Sequence, residues 1–517
     1  MVIETLQKAH ECESAQSLSL PPIIHPWEHE LLQQPQGKGS TIERSTELER
    51  FSALAGGPFH VLNPAQFRSN LRGFAEVCKA VGVKATIYFA RKANKSECWI
   101  PVVAEEAHGV DVASGPEFIG AISGGVPAHN LVVTGAEKPE SLLELALRHG
   151  SLLVVDSPSE LFRVSTLAAK VETGSQAQLL LRLLPETQTD SRFGTSASEW
   201  MWALASLSEK QRTCINCAGA SFHLNGYSAE ERGHQAHLAL DFLEVLKTDG
   251  WRVHTLDIGG GFSIQYCDNT AWEEFSRVAL GDSPKVRAFH GGHLPRTTYP
   301  YGGQRNNGPA MLSEVLMTLH PDSEQATYGT LAERLRVGNI RLGLEPGRAL
   351  LNGCGMSVFP VQGVKERKNY CIITAAGLSM SLSEQWKGSE FLPDVTLWRA
   401  ERGVEQTEVQ TAEGKTRQTT KEQADARRNA TKEREDEPTA ACVGGSSCME
   451  YDMLTWRIVP LQRRPQRGDL LIYHNTAGYQ MDKNESEFHQ LRLPMRFVYD
   501  GEGTLPRIDR PLHEEMP

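Results

Sequence analysis

Ala85-Thr86-Ile87-Tyr88-Phe89-Ala90-Arg91-Lys92-Ala93-Asn94 decides how this chain is to be read. Ala85 to Ala90 has the length and composition of a buried strand. Lys92 stands just past its end, among small and polar neighbours. A buried lysine is costly unless paired, and desolvation lowers its pKa, which suits imine formation. Taken alone, Lys92 reads as an ordinary exposed residue at a strand end. Its meaning depends on what repeats around it.

Strand and helix patterns alternate on both sides of this stretch. Phe59-His60-Val61-Leu62 is a short strand, and Pro64 to Val81 has helical spacing with Phe67, Leu71, Phe74, Val77 and Cys78 on one face. Downstream come strands at Val110-Asp111-Val112, Leu131-Val132-Val133, Leu152-Leu153-Val154-Val155, Leu179 to Leu183, Ala220 to Leu224 and Thr255 to Ile258. Helices are expected near 97–107, 116–123, 139–148, 158–170 and 236–246. Alternation of this kind implies a parallel sheet with crossover helices. Seven or eight units fit an α/β fold closed as a (β/α)8 TIM barrel, with function at the C-terminal ends of the strands. An open doubly wound sheet is the competitor.

The remaining segments suggest the domain limits. Residues 1–57 are a polar N-terminal extension that partly joins a β domain, 58–350 the barrel, and 351–517 a β-rich domain with strands such as Arg457 to Pro460 and Asp469 to Tyr473. Residues 282–310, rich in Gly, Pro, Arg and Asn, read as a long loop or insertion. Residues 400–438 have almost no large apolar side chains and are expected to be disordered.

Composition narrows the function classes. The 517 residues carry a net charge of -11, with 40% hydrophobic and 23% charged residues. That is a soluble globular balance, and its acidity argues against nucleic acid as partner. No run reaches membrane-span length, and Met1 to Thr5 lacks a secretory n-region, so a cytoplasmic site is expected. The 10 cysteines are scattered as reduced thiols would be. Cys214-Ile215-Asn216-Cys217 has C-x-x-C spacing without a second pair, and reads as incidental. No metal site is expected.

Other segments carry chemistry-bearing residues. Asp257-Ile258-Gly259-Gly260-Gly261 runs from a strand into three glycines, whose N–H groups can approach an anion such as phosphate. Glu345-Pro346-Gly347-Arg348 ends another strand with a carboxylate and a guanidinium, the latter suited to phosphate. Phe222-His223-Leu224 ends a strand in a histidine able to stack on a planar group. Cys448-Met449-Glu450-Tyr451-Asp452 offers a thiol and two acids, and Asn475-Thr476-Ala477-Gly478-Tyr479 a tyrosine after small residues. Each, alone, has a bland alternative as a turn, a core histidine or a loop.

In order along the chain, these segments resemble the fold-type III pyridoxal-phosphate (PLP) decarboxylases, the group of diaminopimelate, ornithine and arginine decarboxylases. Phe89 to Asn94 is similar to the family's Tyr-Ala-x-Lys-Ala-Asn. Val110 to Glu117, Asp190-Ser191-Arg192-Phe193-Gly194, Phe222 to Leu224, the Gly259–Gly261 loop, Glu345 to Arg348, Cys448 with Asp452, and Tyr479 follow in the family's order. The resemblance implies an alanine-racemase-like barrel with a C-terminal β-rich domain, and decarboxylation of an amino acid.

It also implies roles. Lys92 would form the internal aldimine, Glu345 would hold the pyridine nitrogen protonated, and His223 would stack on the ring. Gly259, Gly260, Gly261, Gly347 and Arg348 would bind the phosphate, with Tyr479 reaching in from the partner subunit. Cys448, also from the partner of a homodimer, would return a proton to the carbanion. Asp111 and Glu117 would support the lysine and cofactor.

Two departures bear on this. The family's His-(Ile/Val)-Gly-Ser becomes His223-Leu224-Asn225-Gly226, without the serine. Its Cys-Glu-Ser-Gly-Asp becomes Cys448 to Asp452, so Met449 stands where an acid usually meets the distal end of the substrate; either Glu450, shifted by one position, substitutes or the substrate has a different distal group, and Met449, Glu450 and Asp452 are the candidate substrate residues. A racemase or epimerase on the same scaffold, or an inactive regulator, are the alternative functions.

Overall fold

The computed structural model describes residues 18–33, 46–171, 175–279, 286–291, 299–322, 329–377, 391–399, 436–483, 488–501 and 507–509. Eight parallel strands close into a barrel: β2 (Ala85–Ala90), β3 (Gly109–Val112), β4 (Leu131–Val133), β5 (Leu152–Val155), β6 (Ala177–Arg182), β7 (Ile215–Ser221), β8 (Thr255–Asp257) and β9 (Arg341–Leu344). β9 returns to β2 in parallel, pairing Leu342 with Ala85 and Leu344 with Ile87. These strands are buried on both faces, which is why they read as apolar runs. Tyr88, Val132, Val154, Leu180 and Ala218 fill the interior as one cluster.

The helices around the barrel start where the sequence provides caps. Asn63, Ser114 and Ser157 each accept from the backbone N–H three residues on, and each is followed by a proline in the first turn. The helix Pro64–Ala80 buries Phe67, Leu71, Phe74 and Cys78, nearly the face its spacing predicts. Among the described residues, no helix is long and apolar enough to cross a membrane.

The other strands form a second, nine-stranded sheet. It contains β1 (Phe59–Leu62), β10 (Gly355–Glu366), β11 (Cys371–Ala375), β12 (Thr396–Trp398), β13 (Thr439–Gly444), β14 (Met453–Leu461), β15 (Leu470–Tyr473), β16 (Met495–Val498) and β17 (Arg507–Ile508). Phe59 to Leu62, which opens the strand–helix alternation, therefore lies outside the barrel. It pairs antiparallel with β10 and parallel with β16. Phe51 of the N-terminal segment stacks on Phe497 at 4.9 Å, and Trp27 packs against Tyr499, so this segment joins the same core.

Other sequence expectations shift with the structure. β7 begins at Ile215 and ends at Ser221, earlier than the Ala220–Leu224 reading, which leaves His223 beyond the strand end. The C-x-x-C pair thus straddles the strand entry, with Cys217 buried and Cys214 only partly so. Of the stretch 282–310, residues 286–291 and 299–310 are described: there Ala288 bridges to Arg457, and Tyr301 is buried in the core. The stretch expected to be disordered, 400–438, lies outside the described residues except at 436–438.

Candidate active site

The C-terminal ends of the barrel strands meet at one mouth, and each of several strands delivers a functional side chain there. Lys92 follows β2, Asp111 sits in β3, His223 follows β7, the glycine loop follows β8 and Glu345 follows β9. A cavity of about 310 Å3 is lined by Lys92, His223, Gly260, Gly261, Glu345, Gly347, Arg348 and Tyr479, among others.

Lys92 Nζ lies 2.8 Å from Asp111 Oδ2, and Asp111 Oδ1 accepts from Thr134 Oγ1 at 2.5 Å. The side chain is half-exposed at the cavity mouth. The sequence reading expected desolvation to lower the Lys92 pKa. Burial does act in that direction, but the negative charges on Asp111 and Glu345 outweigh it and raise the pKa. Lys92 is therefore an ammonium ion held by Asp111.

Glu345 is buried and close to His223, Oε2 to Nε2 being 2.8 Å, although neither glutamate oxygen receives a well-formed hydrogen bond. Burial pushes its carboxyl up, but His223 and Lys92 dominate and bring the pKa down to about 2. Asp111 and Asp257 are pushed the other way, first by burial and then by the charge on Glu345. Buried carboxyls with separated pKa values mark a site where one anion is held fixed.

The phosphate-type elements lie together. Gly260 is packed so closely that a Cβ there would sit 2.4 Å from the Glu345 carbonyl oxygen, and Gly261 has φ +80°. Arg348 donates to the Gly478 carbonyl at 2.7 Å and to Gln480 at 2.9 Å, and its guanidinium lies 4.8 Å from the Tyr479 ring centre. Tyr479 has φ +73°, a conformation held by its N–H to the Ala93 carbonyl at 2.7 Å. The chain's own Tyr479 thus lines its own cavity. This corrects the expectation that the tyrosine arrives from a partner, because the segment after β15 packs directly on the 91–94 turn, where Asn94 donates to the Ala477 carbonyl.

Other expected site residues have different settings. Glu117 accepts from Ala113 N–H at 2.7 Å at the start of its helix, a local capping role. Gly194 donates to Asp156, and Arg182, which is paired with Asp156, lies over the Phe193 ring. Asn475 ties down the N-terminal segment through His25 and the Ile23 carbonyl. Cys448, Met449, Glu450 and Asp452 are not in the Lys92 cavity. They line a separate groove of about 810 Å3 at one edge of the second sheet. There Cys448 Sγ is 3.2 Å from His489 Nε2, and Glu450 pairs with His290 at 2.8 Å. Asp452 is buried and accepts from Ser447 N–H within its own turn.

Two cavity residues escaped the sequence reading. Tyr227 and Tyr299 line the wall beside Arg348, with the Tyr299 ring centre 4.3 Å from the guanidinium. Tyr227 directly follows the Asn225-Gly226 departure, the one local signal that points to it. Tyr299 comes from the Gly- and Pro-rich insertion, where no pattern singled it out.

The donor set fits a phosphorylated heterocyclic aldehyde. Both Glu345 oxygens, His223 Nδ1 and Arg348 Nε are buried without hydrogen-bond partners, so the site offers an anion, an imidazole and a guanidinium to an incoming group.

Comparison with known proteins agrees. The family described as pyridoxal-dependent decarboxylase, pyridoxal binding domain, matches residues 65–293. An uncharacterised protein, y4yA of Sinorhizobium fredii, is 29% identical over 456 residues, spanning 88% of this chain and 90% of that protein. The diaminopimelate decarboxylase of Zymomonas mobilis is 24% identical over 65% of this chain and 72% of its own length. In fold, the chain is similar to Helicobacter pylori diaminopimelate decarboxylase, with TM-score 0.62 and 16% identity over 90% of this chain and 96% of that one.

Proposed function

We propose that this chain acts as a fold-type III PLP-dependent decarboxylase, decarboxylating an amino acid at the Lys92 cavity with Cys448 as the proton donor. One observation carries the reading: a lysine, an ionised buried glutamate, a histidine, a glycine loop and an arginine converge on one cavity at the barrel mouth.

PLP, when bound, supplies the electron sink for the pair left behind as the carboxylate departs. The protein's residues divide the remaining work. Lys92 would hold the aldehyde carbon once its ammonium has lost a proton, with Asp111 as the neighbouring anion. Glu345, ionised across the working pH range, would keep the ring nitrogen protonated. His223 would cover one ring face, and Gly259, Gly260, Gly261, Gly347 and Arg348 would take the phosphate, with Tyr479 against Arg348.

The protonation step needs an acid on the substrate carbon. Cys448 is exposed and stands in the groove outside this chain's own Lys92 cavity. We therefore propose a homodimer in which each groove closes over the other copy's cavity. Met449, partly exposed beside it, offers no charge to the distal end of the substrate. The diaminopimelate substrate named for the relatives is accordingly not transferred to this chain.

The purified protein should show the visible absorbance of bound cofactor and release CO2 from one member of an amino-acid panel. A coloured protein that interconverts enantiomers without CO2 release is a racemase. A protein that stays colourless with excess PLP refutes the reading.

A further inference from the structure

Four cationic side chains are deeply buried among the described residues: Arg91, Lys138, Arg232 and Arg457. Three have a carboxylate partner: Arg91 pairs with Glu97, Lys138 with Glu160 and Arg457 with Asp394. Arg232 does not, although its exposure is 0%. A buried charge without a counter-charge is costly. Its guanidinium donates instead to two carbonyls that flank the glycine loop, Ile258 at 2.8 Å and Gly261 at 3.4 Å, and its Nε has no partner. It lies directly behind the cavity wall: a Cβ on Gly261 would sit 2.8 Å from Arg232 Nη2.

The cavity side of the same wall also lacks a counterpart. The Tyr299 hydroxyl is sealed from solvent without a well-formed hydrogen bond, and it is electrostatically linked to the Tyr227 hydroxyl beside it. Gly226, next to Tyr227 in the chain, has nothing within 4 Å of where a Cβ would be. The Tyr299 hydroxyl on the cavity side, without a well-formed hydrogen bond, and an uncompensated cation behind the wall define an environment for a strongly charged anion.

We infer that Arg232, Tyr227 and Tyr299 are additional anchors of the cofactor phosphate: Arg232 supplies its charge through the glycine loop, and the two hydroxyls donate from the cavity wall. The inference rests on the PLP reading above. Arg232 is a positioning residue that acts through the loop; the tyrosines would touch the phosphate.

The test compares PLP with pyridoxal, which has the same ring and aldehyde but no phosphate, by equilibrium titration of the visible band in the full-length protein. R232M should weaken PLP binding by about 10- to 100-fold, the scale of a lost charge-assisted contact, and leave pyridoxal binding within about twofold. Y227F and Y299F should each weaken PLP by about 3- to 10-fold with the same selectivity. R232K keeps the charge but not both carbonyl bonds, and should recover most of the PLP affinity.

If R232K binds PLP as poorly as R232M, Arg232 is only a brace for the loop and the charge assignment fails. If R232M does not fold, the tyrosine variants decide, since they leave the buried arginine in place; PLP affinity unchanged in both overturns the inference. Equal losses for PLP and pyridoxal in any variant also overturn it. A wild-type protein that binds neither compound defeats the cofactor reading itself, a result distinct from all of these.

Discussion

The Lys92 cavity and the Cys448 groove belong to one proposed reaction but are built in opposite ways. The cavity is small, most of its motif residues sit at strand ends of a closed barrel, and the Glu345 oxygens, His223 Nδ1 and Arg348 Nε are buried. The groove is more than twice as large, and its chemical residues stand on an exposed turn between β13 and β14. Strand ends fix a side chain through the whole barrel, whereas a turn is held by a few local bonds such as Asp452 to Ser447. Cofactor chemistry needs fixed geometry; substrate choice tolerates and uses variation.

The contrast can be broken first at Lys92. Lys92→Ala should abolish the visible cofactor band and CO2 release together, checked by absorbance and a CO2 assay; a retained band would remove Lys92 from its role. Next in size, Glu345→Gln should leave a coloured protein whose CO2 release falls by roughly 10²- to 10³-fold, because a fixed charge is lost from a buried site. The Glu345 pKa of about 2 is depressed, so its charge is present at ordinary pH and lost only as pH falls through that value. The wild-type rate near pH 5 should therefore not decline on account of Glu345.

Cys448→Ala should slow product formation by roughly 10²-fold, within the range of a lost general acid, while the visible band stays normal. Mixing Cys448→Ala with Lys92→Ala protein should restore part of the activity if the groove of one copy serves the cavity of the other. No recovery after verified subunit exchange would place Cys448 outside the reaction or in its own chain's site.

The smallest expected effect is a pH shift. Asp111 raises the Lys92 pKa, so neutral amine is scarce at low pH and more available as pH rises. Asp111→Asn removes that attraction and should move the midpoint of cofactor uptake to lower pH, followed by stopped-flow absorbance. An unmoved midpoint would show that Asp111 does not control the lysine.

Much of the barrel is legible in the chain because its parallel strands are buried on both faces and appear as separate apolar runs. The same local pattern misleads at Phe59–Leu62. A short apolar run before a capped helix looks like another barrel unit, but its hydrogen-bond partners, β10 and β16, lie hundreds of residues away. The Lys92, His223, Gly259–Gly261, Glu345 and Arg348 motifs are legible because each combines a strand end with unusual residue types. Tyr299 is not, since it lies in a segment whose Gly and Pro content suggests only a loop. Arg232 is not, since Glu230-Glu231-Arg232 looks like the charged first turn of a solvated helix.

The sequence by itself determined the residue types at the strand ends, the strand–helix rhythm and the family these imply, because such signals are local and survive without knowledge of neighbours. Only the tertiary structure decided that Tyr479 belongs to its own chain's cavity, that Asp111 pairs with Lys92, that Cys448 lies in a separate groove and that Arg232 is buried behind the glycine loop. Burial, distance and electrostatic coupling are properties of pairs brought together by folding, and no single residue carries them.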